Sequence, residues 1–390
     1  MPIVNRLADL TDEIAAWRRD FHENPEVLYE TVRTGARVAE LLTSFGLDEV
    51  TTGIGKTGVV GVIRGRNGGA GKVIGLRADM DALPIEEATG LPYASKVPGK
   101  MHACGHDGHT SMLLGAAKYL AETRNFDGTV VVIFQPAEEG GAGAKAMIDD
   151  GLMTRWAIDE VYGMHNMPGL PVGEFAIRTG PIMAATDEFK IEISGRGGHA
   201  AKPQETIDPI VIGSQLVSAL QTIASRTVNP LQSVVVSVTV FEAGTAFNVI
   251  PETASLRGTI RSLTPETRAL AEDRLRLITG SVCAAFGATA EIQFRRGYPV
   301  TFNHEAETEF AASIADEIAG PGRVNRKVEP MMGGEDFSYM LLERPGAYIF
   351  AGNGDSAGLH HPRYDFNDTL IPVGSSFWVR LAERALERAS

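Results

Sequence analysis

The sequence predicts an α/β protein of two domains, a mixed-sheet core interrupted by an inserted ferredoxin-like βαββαβ domain. Three observations predict it. Short β-rich runs alternate with helical periodicity through the first half of the chain. From about residue 186 the order changes to strand, helix, strand, strand, helix, strand. After about residue 300 the earlier alternation resumes, so the tail is expected to return and complete the first core. The expected boundaries are 1–184 and 299–390 for the core and 185–298 for the insert.

The elements follow in order. Apolar residues recur at helical spacing over 3–20 and 31–45, with Asn24-Pro25 and Gly46 as punctuation. Strands are predicted at Val59–Ile63, Val73–Leu76, Val130–Phe134 and Phe175–Ile177, and helices near 109–122 and 142–150. The glycine-rich run Gly65–Gly71 reads as a hairpin turn between the first two strands. In the insert, EFKIEISG, SVVVSVTVF, TASLRGTIRS and ATAEIQF read as strands, with helices near 206–225 and 265–286. The tail adds a helix near 305–318, the strand AYIFAG and a final helix near 373–388. There is no internal repeat and no low-complexity tract.

Composition narrows the function. The 390 residues, 44% hydrophobic and 22% charged, are ordinary globular material with room for two domains. A net charge of -13 argues against a nucleic-acid partner. The two cysteines, Cys104 and Cys283, cannot make a disulfide framework and suit a reducing compartment. The first residues lack the pattern of a secretory signal, and no apolar run approaches the roughly 20 residues that span a bilayer. The expected location is the cytoplasm, with no membrane partner.

Polar residues with chemical potential concentrate in a few segments: Arg77-Ala-Asp79-Met-Asp81, His102 to His109, Gln135-Pro-Ala-Glu138-Glu139, Tyr162-Gly-Met-His165-Asn166 and Leu359-His360-His361-Pro362. The first, third and fourth end predicted strands, where sites form in open α/β sheets. Three of the nine histidines fall between 102 and 109, which makes the density itself informative. Cys104 and His106 flank Gly105 and can face one point; thiolate and imidazole suit zinc, and carboxylates suit manganese as well. Adjacent Glu138 and Glu139 need not share a direction, so one can bind metal while the other serves as a base. For His22 and His304 a structural role leads, and Cys283 reads as a core thiol. Gly53-Ile-Gly55-Lys-Thr-Gly58 matches a dinucleotide fingerprint formally, but it follows a helix and leads into a strand, so it reads as a loop.

Together these segments resemble the M20 metallopeptidase family, in its amidohydrolase branch of hippurate hydrolases and N-acyl-amino-acid deacetylases. The resemblance rests on RADMDALPI, MHACGHDGH, QPAEEGGAGA, GMHN, GRGGHAAKP, NVIPETA, GTIRS, GGEDFSY and LHHPRYDFND, in family order over essentially the whole chain. It implies two divalent metal ions (zinc, manganese, cobalt or nickel) held by Cys104, His106, Glu139, His165 and His360, with Cys104 shared. His361 is the alternative to its neighbour. It implies Glu138 as general base. Arg77 stands where the broader family has a histidine, which leaves Asp79 as an orienting group behind the ligands. The insert resembles the family's lid, and the resemblance gives His199, Asn248 and Arg261 to the substrate. The competing roles are a turn cap for His199 and surface charge for Arg261. Glu335 and Asp336 line the site with no assigned role.

The implied reaction is hydrolysis of the amide bond of small N-acyl amino acids, hippurate-like or N-acetylated. A broad-specificity dipeptidase or aminoacylase is the second reading, and a non-catalytic carrier of acyl amino acids the third. The resemblance further implies a homodimer or homotetramer paired through the lid, with His199 acting in its own subunit or across to a neighbour.

Overall fold

The longest apolar runs in the sequence become the inner strands of the larger sheet. In the computed structural model, which describes residues 3–387, the labelled elements run as follows. The first stretch contains helices α1 (Thr11–Glu23) and α2 (Val32–Ser44), then strands β1 (Glu49–Ile54), β2 (Gly58–Arg64) and β3 (Val73–Asp79). Helix α3 (His106–Thr123), strand β4 (Thr129–Gln135), the short helix α4 (Gly143–Asp149), β5 (Glu160–Pro168) and β6 (Phe175–Ala176) follow. Next come β7 (Ala185–Ser194), helix α5 (Pro209–Leu220), β8 (Val234–Ala243), β9 (Thr253–Ser262), helix α6 (Pro265–Ala285) and β10 (Thr289–Arg296). Helix α7 (Glu305–Ala319), β11 (Val324–Asn325), β12 (Gly346–Gly354) and helix α8 (Ile371–Ala385) close the described chain. Residue 388, where the last helix was expected to end, lies outside the described residues.

Two units result. One comprises Met1–Gly180, Phe302–Glu329 and Asp336–Ser390; the other comprises Pro181–Thr301 with a short return at Pro330–Glu335. The first holds an eight-stranded mixed sheet in the order β1-β2-β4-β3-β5-β12-β6-β11. Strands β4, β3, β5 and β12 are mutually parallel and almost wholly buried. That burial explains why they read as continuous apolar runs rather than alternating ones. Helices α1, α3, α7 and α8 contribute Ile14, Leu113, Ile314 and Phe377 to the same core as Leu76 and Val132 of the sheet.

The glycine-rich run Gly65–Gly71 is not a hairpin turn. Strand β4 lies between β2 and β3, antiparallel to the first and parallel to the second. Glycines there let the chain reverse, but a turn signal does not say which strand fills the gap beside it. The hairpin joins β1 to β2 instead, through the loop containing Gly55, where the formal nucleotide fingerprint stood.

The second unit is a four-stranded antiparallel sheet in the order β8-β9-β7-β10 with helices α5 and α6 packed on it. Its strands alternate: Phe189, Ile191 and Ile193 are buried while Glu188 and Ser194 are exposed, the period-2 pattern of a sheet covered on one face. Asp208 caps α5 by accepting from Ile210 N–H at 2.9 Å. Thr264 caps α6 by accepting from Thr267 N–H at 3.1 Å. Cys283 is buried in this unit's core.

Candidate metal centre

Three inner parallel strands deliver side chains at their carboxyl ends. Asp79 ends β3 in register with Gln135, which ends β4, and His165 lies towards the end of β5. The turn before α3 brings the other donors. Gly105 has φ +92°, and a Cβ there would sit 2.4 Å from Asn166 Oδ1 and 2.5 Å from Tyr364 Oη. Gly108 has no more room, since a Cβ would meet the Phe366 ring at 2.2 Å. Only glycine allows the cysteine–histidine turn to lie this close to β5 and the C-terminal segment.

Five donors named from the sequence meet here in two overlapping groups. Cys104, His106 and His165 offer ligand atoms within 4.8 Å of one another, and so do Cys104, Glu139 and His360. Cys104 belongs to both. Cys104 Sγ lies 3.3 Å from His165 Nε2, and His360 Nε2 lies 3.1 Å from Glu139 Oε1. His361 is exposed, and its Nδ1 accepts from Arg363 N–H at 3.0 Å. The doubled histidines thus point to different tasks, one at the cluster and one in a turn.

The imidazoles are oriented as metal-binding ones need to be. His106 Nδ1 donates to the Asp81 carbonyl at 2.8 Å, and His165 Nδ1 donates to the Asn166 carbonyl at 2.7 Å. A carbonyl only accepts, so in each ring Nδ1 carries a proton and Nε2 is the atom left to ligate. His106 Nε2 is buried without a hydrogen-bond partner among the described residues. An imidazole with Nδ1 engaged and a buried, unpartnered Nε2, a thiol and a carboxylate together form a donor set that fits a divalent cation.

Electrostatics agree. Burial opposes a charged His106 ring, but Asp79, the contacts with Asp81 and the charge of Glu139 outweigh it and push the pKa up to about 10. Burial drives the Cys104 thiol well above its ordinary value, and Glu139, Glu138 and Asp79 drive it further. Crowded negative charge contributes to both shifts, after burial for the thiol; a cation would neutralise it and reverse the preference of thiol and ring for their protons. Burial also pushes His165 well below its ordinary value, favouring the neutral ring.

The two glutamates stand differently. Asp81 accepts from Glu138 N–H at 2.9 Å and from Glu139 N–H at 3.1 Å, which pins the backbone of both. Glu139 faces Cys104 and His360, whereas Glu138 Oε1 accepts from Asp336 N–H at 3.3 Å. Ala137 and Ala142, on either side of this segment, have φ +54° and +56°, and His360 has φ +62°. Such backbone strain in non-glycine residues gathers at functional sites.

The sequence left some of these residues unassigned. Asp81 is the hinge of the glutamate loop, and the alternating carboxylates of RADMD at a strand end were its signal. His109 lies beside the cluster: its Nδ1 donates to Asp79 at 2.7 Å, and its Nε2 accepts from Asn166 N–H at 3.0 Å. Asp79 also accepts from Arg77 at 2.7 Å and stands 3.6 Å from His106 Nε2, an orienting position. His102 does not join the cluster. It packs 6.3 Å from His22 between ring centroids, and burial pushes its pKa down to about 3. His22 is held by Asp107 at 2.8 Å, a structural place.

The residues given to the substrate all lie in the second unit. His199 is exposed and pairs with Val249 in a short antiparallel pair, and exposed Asn248 precedes that strand, its carbonyl accepting from Ala200 N–H at 3.0 Å. His199 Nδ1 accepts from Ala201 N–H at 3.1 Å. Arg261 is half-buried on β9, and burial lowers its pKa. Glu335 is buried in that unit, whereas Asp336 belongs to the first.

Comparison with known proteins follows the same lines. The sequence profile of peptidase family M20/M25/M40 matches residues 75–384. Hippurate hydrolase of Campylobacter jejuni is 44% identical over 99% of this chain and 100% of its own. Thermostable carboxypeptidase 2 of Saccharolobus solfataricus is 44% identical over 93% of each chain. A dinuclear metal binding peptidase of family M20 from Bacillus subtilis, known by crystal structure, superposes with a TM-score of 0.85 at 36% identity, covering 97% of this chain and 99% of that one. Among the described residues no helix is long and apolar enough to cross a membrane.

Proposed function

The chain belongs to peptidase family M20/M25/M40 and is a metal-dependent amidohydrolase, and from that premise we propose that it hydrolyses the amide bond of N-acyl amino acids, hippurate-like or N-acetylated, with Glu138 as general base. The observation that carries this reading is the unequal placing of two adjacent glutamates. Both lie beside His106, but Glu139 also joins Cys104 and His360, while Glu138 accepts from the Asp336 N–H.

Cys104, His106, Glu139, His165 and His360 would hold two divalent cations, drawn from zinc, manganese, cobalt and nickel. When bound, such a pair lowers the pKa of water towards roughly 7 and polarises the acyl oxygen. The chain's own residues do the rest. Glu138 accepts a proton from the attacking water and delivers it to the leaving nitrogen as the carbon–nitrogen bond breaks. Asp81 holds the backbone of both glutamates in place through their N–H groups. His199 and Asn248 serve the oxyanion that develops on the acyl oxygen. The Arg261 guanidinium pairs with the carboxylate of the amino-acid portion.

The second unit acts as a lid and as the surface of self-association, and the chain works in the cytoplasm, a reading that rests on its cysteine usage. Peptide cleavage next to a free carboxylate is a second reading, favoured by the carboxypeptidase relative. Both are tested by one panel of hippurate, N-acetyl amino acids and dipeptides on metal-reconstituted enzyme, with metal content measured on the same sample. Turnover is expected to be fastest on the acyl amino acids. Faster turnover of dipeptides would transfer the chain to the second reading, and tight binding without turnover of any would end both.

A further inference from the structure

Arg77 has no part in the reaction as set out above, yet it is one of the largest fully buried side chains of the molecule. Its guanidinium divides between two buried carboxylates. One nitrogen donates to Asp79 at 2.7 Å, another to Asp336 at 3.0 Å, and Nε donates to Gln135 Oε1 at 2.8 Å. Each acid leads to a different part of the centre. Asp79 accepts from His109 and stands beside His106. Asp336 also accepts from Gln135 Nε2 at 2.8 Å and from Ala144 N–H at 2.9 Å, and its own N–H donates to Glu138 Oε1.

We propose that Arg77 is a positioning residue that sets the direction of Glu138 through Asp336 and that of the ligand histidines through Asp79. The proposal rests on the base role given above to Glu138. Its physical ground is geometric. A planar fork with five donors fixes two acids at once, whereas an ammonium supplies the same charge as a point. Asp336 reaches the site from a position 259 residues away in sequence. The bonds that hold its carboxylate therefore also decide where its N–H meets Glu138. Two acids buried this deeply need a buried cation, and a poorly directed one leaves them free to shift.

The test uses full-length, metal-loaded enzyme and the variants Arg77→Lys, Asp336→Asn, their combination, and Glu138→Gln. Arg77→Lys is expected to keep both metals and a KM within about threefold of wild type, while kcat falls at least about tenfold. Asp336→Asn is expected to do the same, and the double variant to lose less than the product of the two single losses, because both share the connection through Asp336. A kcat within twofold of wild type in either single variant, or losses that multiply, would overturn the proposal. If Arg77→Lys does not fold, Asp336→Asn, which preserves the side chain's shape, decides alone on the same criteria. A crystal structure of the metal-free single variant adds a readout apart from turnover: the Glu138 carboxylate should leave the Asp336 N–H, and an unmoved contact contradicts the proposal. Full activity in Glu138→Gln would remove the base reading instead. An inactive Glu138→Gln beside an unimpaired Arg77→Lys removes only the present one.

Discussion

The metal centre at the ends of the inner strands and the polar residues of the inserted unit differ in how much holds each side chain. At the first, the supporting carboxylates are buried and each is bonded at least twice: Asp81 accepts two backbone N–H groups, and Asp79 accepts from an arginine and a histidine. At the second, His199 is exposed with one bond to a neighbouring N–H, and Arg261 lies half-buried on a strand. A group that must hold metal and move a proton has to be preorganised, and buried bonds supply that. A group that meets substrate is left free to move. Substitutions in the first region should therefore act on kcat or folding, and that of Arg261, the proposed partner of the substrate carboxylate, on KM.

The largest effect should come from Glu138→Ala. Loss of a positioned base is expected to lower kcat on the order of 10^3-fold with metal content unchanged; near-normal turnover in steady-state assays would erase the contrast at its strongest point. The next concerns stability in the buried network behind the metal loop. Burial opposes charging His22, but bonds to Asp107 and Glu87 outweigh it and raise the pKa to about 9. A raised pKa means stability that is complete below the unfolded value of roughly 6.5 and lost as pH rises through about 9, on the order of 3 kcal/mol in all. Thermal unfolding from pH 6 to 10 should show a falling Tm that is flattened in His22→Gln. A parallel fall in that variant would assign the effect elsewhere.

Smaller effects sharpen the other side. Arg261→Ala is expected to raise KM for carboxylate-bearing substrates roughly tenfold, the worth of a hydrogen bond to a charged group, with kcat changed much less. An equal fall in kcat would place Arg261 with the buried machinery. Smallest is His361→Ala, expected to alter kcat and metal content less than about twofold, because His361 merely accepts a turn N–H. Loss of a metal in that variant would exchange the roles of the doubled histidines.

The same contrast governs what the sequence reveals. The cluster from 102 to 109 was legible because its donors are neighbours in the chain, flanked by glycines with one visible use. The pairing of Arg77 with Asp336 was not, since residues 259 positions apart carry no local mark of their contact. Asp81 was visible as a carboxylate, but its service to two backbone N–H groups exists only once β3 and β4 lie side by side. The misplaced hairpin at Gly65–Gly71 has a similar cause, a local turn beside a non-local strand. The alternating strands of the insert were legible because one face is covered and the other open. His199, Asn248 and Arg261 stood out only through resemblance; nothing in their spacing separates them from turn and surface residues.

The central claim is that one thiolate joins two cation sites. Anomalous diffraction from crystals of manganese- or zinc-loaded enzyme tests it directly. The account expects two peaks, one within ligand distance of Cys104, His106 and His165 and the other within ligand distance of Cys104, Glu139 and His360. A single peak, or a pair in which Cys104 takes no part, would contradict it.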